Sequence, residues 1–186
     1  WERERGHLEL FYTSPAPIVG ILLGMALGGM FNTSIRAIFT LIVGVVVFNA
    51  TFNLQGLPAA LLIFVLTLAA LYSLGMAFAS LYLKYSRSGW RASELLQEPI
   101  LFLSGLYYPI NVFPTALQAV ALLVPLTIGL DGIRRALVLN QPLDQLYLHI
   151  IGLATLGVVF FALALKLLKY MEERGRKEGR LILRWM

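Results

Sequence analysis

From Ala59 to Leu83 the chain carries 25 consecutive residues without a charge. Built as an α-helix, that run extends about 37 Å at 1.5 Å per residue, more than a hydrocarbon core of about 30 Å. A bilayer admits only segments whose backbone polar groups are satisfied internally, so this run is a transmembrane helix and its neighbours face the same solvent. Ala69, Ser73 and Ala77 recur every fourth residue and give it a narrow face for a second helix.

Composition extends that reading to the whole chain. Of 186 residues, 59% are hydrophobic and 13% charged, with mean hydropathy +0.77, the balance of an integral membrane protein. The formal charge of +5 does not point to nucleic acid, because the Lys and Arg residues sit beside apolar runs as positive-inside flanks do. The sequence contains no cysteine, which excludes disulfides, thiolate zinc sites and cysteine nucleophiles. His7 and His149 lie far apart, and neither is assigned to a metal. No signal-peptide pattern precedes the first apolar run, and with Trp1 in first place the chain reads as the downstream part of a longer protein.

In chain order, residues 1–15 interleave Arg3 and Arg5 with Glu2, Glu4 and Glu9 and gather Trp1, Leu8, Phe11 and Tyr12 near one side of a helix. They read as an amphipathic helix on the membrane surface or as a solvated lead-in. Residues 16–50 are apolar except at Asn32–Arg36 and would measure about 52 Å as one helix. A guanidinium at the bilayer centre costs on the order of 2.5–3.5 kcal/mol on insertion scales, so Arg36 is expected to snorkel to an interface. The sequence therefore predicts two parts within 17–56: an interfacial helix over 17–31, lying along or dipping into the cytoplasmic leaflet, then a span over 36–56. Gly20, Gly24 and Gly28 strip one helix face for a close contact, with packing inside the chain favoured over a subunit contact.

After the span at 59–83, the loop KYSRSGWRAS (84–93) brings Lys84, Arg87 and Arg91 to the cytoplasmic side. The last span is predicted over 146–168, followed by a cytoplasmic tail at 169–186 with six basic residues against three acidic ones. Both flanks face inward, so the chain between them crosses an even number of times, which leaves residues 94–145 a net single outward crossing. The simplest solution is a helix from Glu94 to Tyr108, interrupted at Pro99, then a re-entrant hairpin over 115–139, a stretch carrying Pro125 and three charges, that dips back from the outer face and leaves by it. The expected fold is an all-α integral membrane domain with about four transmembrane helices, an interfacial N-terminal helix and an outer-face re-entrant hairpin.

Charged and breaking residues in 94–139 supply the candidate site. Glu94 and Glu98 share a helix face and read either as a gate or partner contact, or as an interfacial cap beside Lys84, Arg87 and Arg91. Asp131, Arg134 and Arg135 are spaced to neutralise one another, a structural charge cluster that pins the hairpin. Ser104, Gly105, Tyr107, Tyr108 and Pro109 stand where the helix breaks and are the candidates for lining a pathway, against ordinary packing with tyrosines in the outer aromatic belt. The sequence holds no Gly-x-x-x-x-Gly-Lys-Ser/Thr and no credible Ser-His-Asp or carboxylate-pair centre, so no catalytic residue is assigned.

RERGHLELFYTSP at 3–15 and FLSGLYYPINVFPTALQAVALLVPLTIGLDGIRRALV at 102–138, in this order and with this hydropathy, resemble the membrane-spanning subunit of ABC-2 type exporters. The resemblance covers nearly the whole chain. It implies six spans per permease half, of which this chain supplies about four, and two halves, as homo- or heterodimer, around a pathway in the plasma membrane, or inner membrane of a bacterium. It implies further that Glu4, Arg5, Gly6, His7, Leu8 and Glu9 form a coupling helix on an ABC ATPase subunit or domain. ATP and Mg would then be bound by the partner, with no cofactor on this chain and both ends of it cytoplasmic. The cargo class suited to an apolar, tyrosine-bearing route is a lipid, lipid-linked glycan or amphipathic drug. Two other classes compete: an ion-coupled carrier, for which Glu98 is the only mid-membrane candidate, and a non-transporting anchor subunit, against which the prolines at 99, 109, 114 and 125 argue.

Overall fold

The computed structural model describes residues 18–49, 51, 54–82, 97–108 and 110–177, all helical or in short connections, with no strand among them. The N-terminal segment, including the expected coupling helix at 1–15, Glu94, the loop at 84–93, Pro109 and the end of the tail, lies outside the described residues. Five helices organise the rest: α1 (Ile18–Phe48), α2 (Leu57–Tyr82), α3 (Thr115–Ala121), α4 (Pro125–Leu137) and α5 (Tyr147–Lys177). A further short helical stretch occupies 97–103. Among the described residues three stretches are long and apolar enough to cross a membrane, Val19–Phe48, Leu54–Ser80 and Tyr147–Tyr170, and the bent pair α3 and α4 has the form of a broken span or a re-entrant loop.

The division expected at Asn32–Arg36 is not there. α1 runs unbroken for 31 residues, about 46 Å, and ends at Phe48 rather than at 56. The polar residues do not compete with the backbone because their hydroxyls bond back along the same helix: Thr33 donates to the Gly29 carbonyl at 2.9 Å and Ser34 to that of Met30 at 2.8 Å. The helix stops where Asn49 enters the left-handed region at φ 49°, a conformation asparagine tolerates at a helix end.

α2 is the central element, packed chiefly against α5 and α4. Lipid is as apolar as leucine, so helices associate through close packing rather than through a hydrophobic drive, and small residues make that possible. Thr67, Ala70, Ser73, Ala77 and Ser80 form its buried side. Their hydroxyls are satisfied internally, Thr67 to Ile63, Ser73 to Ala69 and Ser80 to Met76, at 2.6–2.8 Å. α5 runs parallel to α2: Leu146 and Leu153 pack with Ala59, Ala60 and Ile63 at one end, and Ala164 packs with Met76 and Ala77 at the other.

α4 runs antiparallel to α2 over half of its length. Gly129 rests on Thr67, Gly132 on Ile63, and Gly56 on the Ala136 carbonyl. Thr67 is the midpoint of the span Leu54–Ser80, so α4 starts near mid-span and reaches the N-terminal end of α2. Pro125 at its first position explains the start: proline suits a first helical turn, lacks an N–H, and pushes Val124 to an extended conformation (φ −87°, ψ 115°). α3 therefore cannot continue into α4, and the two meet at 90°.

Candidate functional site

The segment between the short helix at 97–103 and the bent pair α3 and α4 is built on a glycine. Residues 97–103 are helical and stop at Ser104 and Gly105, where Gly105 adopts φ +72°. That conformation costs an L side chain but not glycine. A Cβ there would also press on Ile110 and the Tyr108 carbonyl. Turning the chain this way exposes the carbonyls of Gly105 and Leu106, and Arg134 of α4 takes both: Nη1 donates to Gly105 O at 3.0 Å and Nη2 to Leu106 O at 3.5 Å. Thr127 of the same helix donates to Leu103 O at 3.4 Å. Phe102 and Phe113 close the other side, their ring centroids 5.2 Å apart and tilted by 56°, the offset geometry aromatic pairs favour.

The residues proposed for a pathway separate here. Ser104 is buried at 1% exposure, and its Oγ donates to the Leu101 carbonyl at 2.6 Å, so it seals the end of its own helix. Gly105 is buried too. Tyr107 and Tyr108 project outward, 63% and 58% exposed. Glu98 is exposed on the described end of the short helix.

The charged cluster also divides. Asp131 Oδ2 accepts from Arg135 Nε at 2.7 Å, one turn along α4. Arg134 is not part of that pair; it is spent on the Gly105 and Leu106 carbonyls. In its place Asp131 gains His149 of α5, whose Nε2 lies 2.9 Å from the same Oδ2. A carboxylate accepts only, so the imidazole donates from Nε2. Its Nδ1 is buried with no hydrogen-bond partner. Gly132 clears the space, since a Cβ there would touch the His149 ring and Ile63. His149 escapes a reading by spacing because it sits 18 residues from Asp131 on another helix. The signal available was the short connection 138–146, which makes α4 and α5 antiparallel neighbours.

The geometry thus gives two polar fastenings on one half-length helix: Arg134 to the glycine turn, and Asp131, itself paired with Arg135, to His149 of α5. His149, only 18% exposed, makes its contact the more shielded of these polar pairs. Chemically they tie the turn at Gly105 and the helix α5 to α4; among the described residues of this cluster no nucleophile stands beside a general base.

Residues 2–166 match the family described as ABC-2 family transporter protein. Among curated proteins the chain is 35% identical over 126 residues to nodulation protein J of Rhizobium leguminosarum bv. viciae, covering 61% of this chain and 48% of that one. It is 41% identical over 75 residues to nodulation protein J of Rhizobium meliloti (strain 1021), covering 40% and 28%. The protein of the same name from Rhizobium leguminosarum bv. trifolii is 34% identical over 110 residues, covering 59% and 41%. The chain thus spans about half or less of the length of these relatives, and no solved structure matches it. With the match running over nearly all of a helical bundle that has several helices long and apolar enough to cross a membrane, the chain belongs to the ABC-2 family of transporter proteins.

Proposed function

We propose that this chain is the core of an exporter's permease half, moving an amphipathic cargo such as a lipid, a lipid-linked glycan or a drug with energy from ATP hydrolysed by a partner ATPase. The observation that carries the reading is the half-length helix α4, fixed to the turn at Gly105 by Arg134. Irregular backbone at membrane depth is tolerated where it is buried in protein or lines a cavity, and this turn has a dedicated cation holding it. Tyr107 and Tyr108, exposed just beyond the turn, offer flat amphipathic surfaces to such a cargo, with Glu98 at the other end of the short helix as a gate residue. Two such halves enclose the route. Residues Glu4 to Glu9 receive the push of the ATPase from the cytoplasm, where both ends of this chain lie.

The test is reconstitution of the full-length permease with its ATPase in proteoliposomes. Fluorescent lipid movement should require ATP, cease on vanadate addition, and cross-links from position 7 should reach the ATPase. Movement that follows an imposed proton gradient and ignores ATP depletion would make this an ion-coupled carrier. Absence of any permease effect on ATP hydrolysis or lipid movement would make it an anchor.

A further inference from the structure

α1 carries a guanidinium that the rest of the described structure leaves alone. Arg36 is exposed, and among the described residues its side chain makes no hydrogen bond or ion pair; only its backbone carbonyl is used, by Thr40 at 2.9 Å. Asn32 and Thr40, one turn to either side, are also exposed, so the three make a polar stripe on a helix otherwise faced with Phe31, Ile35, Ile38 and Phe39.

Its depth follows from packing. α1 meets α2 where Leu22 packs on Met76 and Ala77 and where Gly29 and Thr33 meet Tyr72. Arg36 lies three residues past Thr33 in the direction of the Thr67 level, the midpoint of the α2 span, which puts it within about one helical turn, roughly 5 Å, of mid-depth. Arg36 therefore does not reach an interface as the sequence led us to expect. Seven residues after Gly29 it lies on the side of α1 that rests on α2. That side is closed as far as Thr33 and open from Arg36 onward.

A charge at that depth needs a partner or water. The chain has ten carboxylates, and α1, α2 and the span Tyr147–Tyr170 contain none of them. Asp131 is held by Arg135 and His149. Among the described carboxylates of this chain that leaves Glu98 as the protein alternative, with Glu94 outside the described residues. We propose that the Asn32, Arg36 and Thr40 stripe lines the transport route at mid-depth and that Arg36 binds the anionic group, phosphate or carboxylate, of an amphiphilic cargo. A route that welcomes one negative charge in a water-poor setting selects anionic over zwitterionic or cationic amphiphiles. The assignment rests on the permease reading.

The experiment needs neither ATP nor a known cargo, so its failure is separable from a failure of ATP coupling. Single cysteines replace Asn32, Thr40 and, on the opposite side of α1, Ile38 in the full-length permease in nanodiscs, and are exposed to anionic and cationic methanethiosulfonates of similar size. Asn32→Cys and Thr40→Cys should react from water and Ile38→Cys should not. The anionic reagent should be faster by roughly tenfold. Arg36→Gln should bring the ratio near one, and Arg36→Lys should keep it. Decyl phosphate should slow labelling of Thr40→Cys, whereas dodecylphosphocholine should not. Unreactive cysteines at 32 and 40, or labelling whose charge preference survives Arg36→Gln, overturns the proposal. So does rescue of an Arg36→Glu defect by Glu98→Arg, which would make the partner a protein carboxylate.

Discussion

Arg134 reaches back 29 residues to donate from Nη1 to the carbonyl of Gly105 at 3.0 Å, so the end of a half-length helix and a left-handed glycine turn are a single unit. The turn leaves carbonyls without helical partners, and the guanidinium supplies charged donors to both.

Replacing Arg134 by Leu removes both donors and strands two acceptors. A hydrogen bond to a charged group is worth about 1.5–3 kcal/mol, so Arg134→Leu should lower the unfolding free energy of the full-length protein by about that amount. Arg134→Lys keeps one bond and should recover part of it. Denaturant or steric-trap unfolding in bicelles measures the difference. Equal stability of wild type and Arg134→Leu would show that the contact carries nothing.

Asp131 divides its carboxylate between Arg135 and His149, and the two contacts differ in exposure: the Arg135 side chain is 42% exposed and that of His149 18%. Water screens the first pair, as it does most surface ion pairs, and the second joins two helices. A double-mutant cycle with Asp131→Asn and His149→Gln should give a coupling of about 0.5–2 kcal/mol. The cycle with Arg135→Gln should give less than half of that. The reverse order would place the fastening within α4 rather than between α4 and α5.

Glycines along the chain read alike in sequence and differ in the structure. Gly56 lies against the Ala136 carbonyl, which leaves no room for a Cβ, whereas Gly24 and Gly28 have nothing within 4 Å. Overpacking costs about 1–3 kcal/mol. Gly56→Ala should therefore destabilise by that amount or more, since the obstacle is backbone, while Gly24→Ala and Gly28→Ala should be neutral or slightly stabilising through helix propensity. Differential scanning fluorimetry of the three variants checks this. A large loss at Gly24 or Gly28 would mean that this face is covered in the assembled protein.

Uncharged length was enough to read α2 and α5 from the sequence, because that signal is local, whereas the four prolines marked a broken segment without saying that the corner falls at Pro125. The unbroken α1 was not legible: a run of Asn, Thr, Ser and Arg looks like a break until Thr33 and Ser34 are seen bonding back to Gly29 and Met30. The partners of Arg134 and His149 were equally hidden, since Gly105 and Asp131 become neighbours only through tertiary packing. Spacing correctly set Asp131 beside Arg135, a contact internal to one helix. It gave Arg134 the same partner, and the structure gives it another.

Tyr107 and Tyr108 separate a route from a merely structural turn. Both side chains are largely exposed, so truncation removes little packing, whereas the neighbouring Ser104 is buried and bonded to Leu101. Ser104→Ala should cost about 1 kcal/mol of stability through the lost bond and leave ATP-driven lipid movement per folded molecule unchanged. Tyr107→Ala and Tyr108→Ala should leave the melting temperature within experimental error and slow that movement by roughly tenfold, the equivalent of about 1.4 kcal/mol of lost aromatic contact with the cargo. Phe at either position should retain most of the rate, because the ring rather than the hydroxyl makes the surface. A normal rate in the Tyr107→Ala, Tyr108→Ala double variant would move the route away from this turn and leave Arg134 and Gly105 a purely architectural joint.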